Sequence, residues 1–267
     1  MSYLRSTGLA LLGLLVMSVV GCGLSAYEER LAKTDQRNRY LARLDATLAG
    51  YWNQPSWGIW LRPPKGLLDV AAPARPTDGE EEPVDLRQQF MGVPLDLPGI
   101  IQVWEGTTPT AGSDPGPFRL YLLGNHGRFA RTGGGGESAD PKTYLYDLEL
   151  ALQNLYGVTL PQGDGGRGDQ NNVRYRQTIP SAEEFTVSKP FVVVNFVPEM
   201  EGQQPFNASL YEHTAGPVQL AVLLLASSNA SHELRQSLQT ALETLQVSSD
   251  TPGLQSGATS GGGTATF

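Results

Sequence analysis

Cysteine, histidine and positive charge are all scarce in this 267-residue chain, and each scarcity closes a class of function. One Cys cannot close an intramolecular disulfide, and three His beside it are too few and too scattered for a structural zinc site. Lys and Arg total 19 against 27 Asp and Glu, and the resulting formal net charge of -8 repels phosphate backbones, so nucleic acid is not an expected partner. The common catalytic signatures are missing too. Gly133-Gly134-Gly135-Gly136 lacks the Gly-Lys-Ser/Thr that a phosphate-cradling loop needs, and the chain contains neither Gly-x-Ser-x-Gly nor His-Glu-x-x-His. The sequence therefore assigns no catalytic residue, no metal ligand and no cofactor.

What is present begins at the amino terminus. Arg5 is the only charge before Glu28, and residues 9–20 form an apolar run of signal-peptide length that ends in Val19-Val20-Gly21-Cys22. This tetrapeptide resembles the lipobox of bacterial lipoproteins. The resemblance implies that the Cys22 thiol is diacylglycerylated, that residues 1–21 are removed as a signal peptide, and that the new amino terminus is acylated. Two lipid signals anchor a chain stably where a single acyl chain does not. Gly23 stands where Asp would favour inner-membrane retention in the enterobacterial rule, so the resemblance implies an outer-membrane anchor facing the periplasm of the cell envelope. The alternatives from the residues alone are an uncleaved inner-membrane anchor, diluted by Gly8, Gly13, Ser18, Gly21 and Gly23, and a buried structural Cys.

Residues 22–50 read as a lipid-anchored stalk. From 25 to 48 the chain is charged and free of Pro, with Tyr27, Leu31, Leu41, Leu44 and Leu48 spaced as in an amphipathic helix whose polar middle, residues 34–39, could break. Residues 51–70 form a Trp-rich connector, and residues 71–85 an acidic, Pro-rich linker loop.

An α+β globular domain is expected over 86–247, with strands at 100–104, 118–123, 173–179, 191–197 and 218–225. The runs at 191–197 and 218–225 are almost continuously apolar and predict strands buried on both faces of a largely antiparallel sheet. Helices cover it. Asp140 as N-cap, Pro141 at the first helical position, the stripe Leu145, Leu148, Leu152 and Leu155, and Gly157 after the last turn mark one helix. The second is capped by Ser231 and faces inward through Leu234, Leu238, Ala241, Leu242 and Leu245. Residues 248–267 are rich in Gly, Ser and Thr and read as a disordered tail. The closing order of strand, strand and carboxyl-terminal helix resembles, at the level of fold alone, the PsbP/Mog1-like sandwich, and no function is carried over from it.

Candidate functional residues are few. Trp52, Trp57 and Trp60 crowd one segment, and rings this dense either pack a connector onto the core or form a stacking platform for sugar rings. His126, beside Arg128 and Arg131, His213, beside Glu212, and His232 are possible bases, with a turn or surface position as the plainer reading. Arg167-Gly168-Asp169 matches an adhesion tripeptide but reads as a solvated connector, and Asn207-Ala208-Ser209 matches a glycosylation sequon that a bacterial lipoprotein would not have modified. The expected function is a lipid-anchored envelope protein, a non-enzymatic binding or assembly module held to the membrane through Cys22. Envelope proteins or peptidoglycan are the partners such a module is expected to meet. Glycan or peptidoglycan binding through Trp52, Trp57 and Trp60, or an envelope enzyme of unfamiliar type, are the alternatives.

Overall fold

The computed structural model describes residues 3–74, 83–108, 116–131, 140–163, 172–181, 185–198, 206–227 and 232–249, with the side chains of residues 3–24, 108, 130, 131, 232 and 233 excluded. The lipobox side chains, the Arg167-Gly168-Asp169 loop, the acidic run at 78–82 and the tail beyond 249 lie outside the described residues. The chain divides into two compact units, residues 1–47 and 48–267.

The first unit is one helix, α1 (Tyr3–Thr47). It runs unbroken through Thr34–Arg39, where the sequence predicts a possible break. Glu29 with Lys33 and Asp35 with Arg39 close solvent-exposed i,i+4 ion pairs beside and within this polar stretch, which contains no Gly or Pro. Tyr27, Leu31 and Leu41, expected on an apolar stripe, are exposed. Among the described residues no helix is long and apolar enough to cross a membrane.

The second unit opens with β1 (Trp52–Gln54), β2 (Ile59–Leu61) and β3 (Leu68–Asp69), followed by a small hairpin of β4 (Gln89–Phe90) and β5 (Val93–Pro94). The long strands β6 (Ile100–Thr108) and β7 (Gly116–Gly124) come next, then a short helix α2 (His126–Arg131) and α3 (Tyr144–Tyr156). The chain continues through β8 (Val173–Ile179), β9 (Lys189–Phe196), β10 (Phe206–Ala215) and β11 (Val218–Ser227) into α4 (His232–Thr244) and β12 (Gln246–Val247).

The fold is α+β, and its main sheet has the order β3-β6-β7-β11-β10-β9-β8 with every neighbouring pair antiparallel. The apolar run at 218–225 becomes the central strand β11, in which every residue but Gln219 is buried. Side chains alternate along the strands and so sort into two layers. On one face Tyr121, Leu123, Val194, Phe196, Leu210 and Leu223 pack in one cluster with Tyr144, Leu148, Leu152 and Tyr156 of α3. The intervening residues, among them Leu120, Leu122, Val193, Val222 and Leu224, turn to the other face. There α4 buries Leu234, Leu238, Ala241 and Leu242.

A second, three-stranded sheet, β1-β2-β12, also covers that face, and Trp52 meets Trp104 of β6 edge-on at 5.5 Å. The Trp-rich segment is therefore built into the domain, where the sequence suggested a connector. β12 joins it from the far end of the chain through Gln246↔Trp60 and Val247↔Ile59.

Helix α3 follows its signposts with one adjustment. Asp140 accepts from the Lys142 amide at 2.9 Å and Gly157 takes the left-handed conformation at φ 63, but Pro141–Thr143 form a 3-10 turn and the α-helix proper starts at Tyr144. The sequence missed β10 altogether. Asn207, Ser209, Glu212, His213 and Thr214 disguise it, so His213, expected between strands, lies within one.

Candidate functional site

A cleft of about 330 Å³ opens between α4 and the face of β8, β9, β10 and β11. Its position follows from the packing just described: α4 seats its apolar stripe on the sheet and leaves its amino-terminal half, Arg235, Gln236 and Gln239, overhanging the polar residues of the strands. Opposite stand Asn195, Asn207 and Ser209, with Asn195 and Ser209 directly paired across β9 and β10. Two phenols complete the wall. Tyr175 and Tyr211 both register on Val193, one from each side, so they share this face.

Tyr211 is only 4% exposed, and burial pushes its hydroxyl up to about 12, with the Tyr175 hydroxyl adding to the rise and the Arg235 guanidinium opposing it. It therefore stays a neutral phenol. Leu224 and Ala226 form the apolar floor. The cleft thus combines amides that both donate and accept, hydroxyls and one exposed cation.

On the opposite face lies a buried charge cluster. Arg174 of β8 donates from Nη1 to Glu149 of α3 at 2.8 Å and from Nη2 to Glu212 of β10 at 3.3 Å. Two carboxylates thus share one guanidinium. Burial, followed by the hydrogen bond to and charge of Glu149, pushes the Glu212 carboxyl up to about 9, against the opposing pull of Arg174. Glu212 is accordingly protonated at neutral pH. Its Oε1 is buried without a hydrogen-bond partner.

The histidines are placed more deeply than a turn or surface reading expects. His126 is 2% exposed, stacked on Trp57 at 5.2 Å, with Nε2 3.3 Å from the Trp57 carbonyl. Burial lowers it to about 4, so the ring is neutral, Nε2–H donates, and Nδ1 is left without a partner. Arg128, suggested as its neighbour in chemistry, instead binds Asp147 at 2.7 Å and lies over the Tyr144 ring. His213 turns Nδ1 to the Pro190 carbonyl at 3.0 Å and tilts against Phe191, and burial lowers its pKa as well. The side chain of His232 lies outside the described residues.

The three tryptophans do not converge. Pairing of Trp52 with Leu61 and of Asn53 with Trp60 puts Trp52 and Trp60 on opposite faces of the small sheet, while Trp57 is spent on His126. A second concavity of about 370 Å³ lies along β3, β6 and β7, walled by Leu68, Phe90, Met91 and Phe118. Its Arg119 is held by Glu105 and by the Leu86 and Gln89 carbonyls. Among the described residues no group of three or more His, Cys, Asp or Glu could hold a metal ion.

Sequence reasoning assigned no residue of the α4 cleft to a binding site, and singled out Asn207-Ala208-Ser209 only as a glycosylation sequon. The available signal was weak: Asn195 interrupts an otherwise apolar strand, and Asn207 and Ser209 carry a period of two that the neighbouring Glu212 and His213 obscure. No known family model matches this chain, and no curated protein sequence matches it.

Proposed function

We propose that this protein is a lipid-anchored binding module of the bacterial cell envelope, held to the membrane through Cys22 and binding a small polar ligand in the cleft beneath α4. The observation that carries the binding reading is the convergence of Asn195, Asn207, Ser209, Gln239 and Arg235 from three elements, β9, β10 and α4, on one concavity. Polar side chains on a sheet face are ordinarily covered or dispersed; here they are gathered under an overhang and left accessible. The anchor rests on the sequence Val19-Val20-Gly21-Cys22, and the outer membrane facing the periplasm is its expected place.

Expression of the full chain and of Cys22→Ala in a bacterial host, with labelled palmitate and membrane fractionation, tests the anchor. The wild type should carry label and sediment with the envelope; Cys22→Ala should do neither. A variant that stays unlabelled yet sediments as before would replace the lipid anchor with a spanning one. Affinity purification of both forms from their native envelope tests the module. A specific ligand or partner recovered with the anchored form supports it, and material that carries nothing after crosslinking counts against it.

A further inference from the structure

We infer that the α4 cleft takes an acidic saccharide, a sugar unit bearing one carboxylate, which deepens the binding reading above and rests on it. The chemistry of the lining narrows the ligand in three steps.

First, the hydrogen-bonding groups are amides and hydroxyls. Asn195, Asn207 and Gln239 each present donor and acceptor atoms, as Ser209 does, and this matches a ligand whose own groups are hydroxyls that donate and accept at once. A sugar ring displays such groups around its whole edge. An extended peptide satisfies its backbone by adding to a sheet edge; β9, β10 and β11 are paired on both sides, and the edge strand β8 contributes only Tyr175 to the lining.

Second, Arg235 is the one charged side chain in the described lining. Its planar fork matches a carboxylate with two parallel hydrogen bonds. Nucleotide phosphates carry more negative charge than one guanidinium offsets, and the chain as a whole is already at -8. A singly charged ligand fits that balance.

Third, the walls are amphipathic. The half-buried Tyr175 ring offers an apolar face with a polar tip, beside the apolar floor of Leu224 and Ala226. A pyranose has the same division between its faces and its rim. A volume of about 330 Å³ is at the lower end of small-ligand pockets and suits one sugar unit with its substituents rather than a bundle of chains.

The test compares two sugars that differ by a carboxylate-bearing substituent, N-acetylmuramic acid and N-acetylglucosamine, titrated against the full chain in detergent micelles by saturation-transfer NMR. Arg235 is exposed on α4, so Arg235→Gln removes the charge without touching the core, and Asn207→Ala removes one amide. The expected result is saturable binding of the acidic sugar, weakened about tenfold or more by Arg235→Gln, which also erases the preference over the neutral sugar, and weakened for both sugars by Asn207→Ala. Equal binding of the two sugars with no effect of Arg235→Gln overturns the acidic specificity. Binding of neither sugar, while acetylated di-alanine binds and loses affinity in Arg235→Gln, overturns the saccharide and leaves a binding module for terminal carboxylates. Binding of none of the three probes overturns the proposal, and the copurification experiment then decides the broader reading by itself.

Discussion

Acid should destabilise this domain through one buried ring, and replacing His126 by Phe should remove that term. His126 is neutral in the folded state because burial lowers it from 6.5 to about 4. Above pH 6.5 the ring is neutral in the folded and the unfolded chain alike and contributes no pH dependence. Between 6.5 and 4 the unfolded chain binds a proton that the folded one refuses, so stability falls as pH falls. At 1.36 kcal/mol per pH unit the loss reaches about 2 kcal/mol at pH 5 and saturates near ~3 kcal/mol below pH 4.

Phe keeps the stacking on Trp57 and has no proton to gain, at the cost of the bond to the Trp57 carbonyl. Urea unfolding of the full chain, followed by circular dichroism from pH 5 to 7.5, supplies the stability of wild type and variant. The readout is their difference, which cancels the parallel term of His213 and the opposing term of Glu212 because both proteins carry them. The variant should gain about 2 kcal/mol relative to wild type across that range. A flat difference curve would refute the reasoning, since it would mean that His126 takes up its proton equally in both states.

Two further substitutions probe the buried polar groups. Glu212 holds its proton in the folded state up to about 9, so its stabilising contribution is full below pH 4.5 and is lost as pH rises through 9; Glu212→Gln, which keeps a donor toward Glu149, should match wild type near pH 4.5 and exceed it increasingly toward pH 9, by at most about 1.4 kcal/mol per pH unit in chemical denaturation. Asn125, fully buried, donates to the Pro141 and Pro217 carbonyls and accepts from the Gln219 amide, so Asn125→Leu strands three backbone groups and should cost about 3 kcal/mol or more, read as a fall in melting temperature; a change under 1 kcal/mol, roughly, would show that water replaces the amide.

Local signals were legible wherever one element could announce itself. The Asp140 cap, Pro141 and Gly157 fixed α3 because a helix end has unpaired backbone groups that only a few residue types satisfy. The apolar run at 218–225 announced the central strand for a similar reason: only a position covered on both faces tolerates it. Strand β10 gave no such announcement. Its Glu212 and His213 are acceptable only because Arg174, Glu149 and the Pro190 carbonyl come from three other elements to meet them. Trp52, Trp57 and Trp60 misled in the other direction. Nearness along the chain suggested one aromatic surface, and pleating set two of the rings on opposite faces.

By itself, then, the sequence determined the class of the fold, its best-capped helix and its most buried strand, because the helix and the strand each depend on residues within about a dozen positions of one another and the class follows from such local elements in order. The tertiary structure alone decided the cleft. Its residues lie on β8, β9, β10, β11 and α4, from Tyr175 to Gln239, and no spacing rule links them. Burial works the same way: His126 and Glu212 have ordinary side chains with ordinary proton affinities until distant segments exclude water from them, and that exclusion is a property of the folded layers rather than of any stretch of chain.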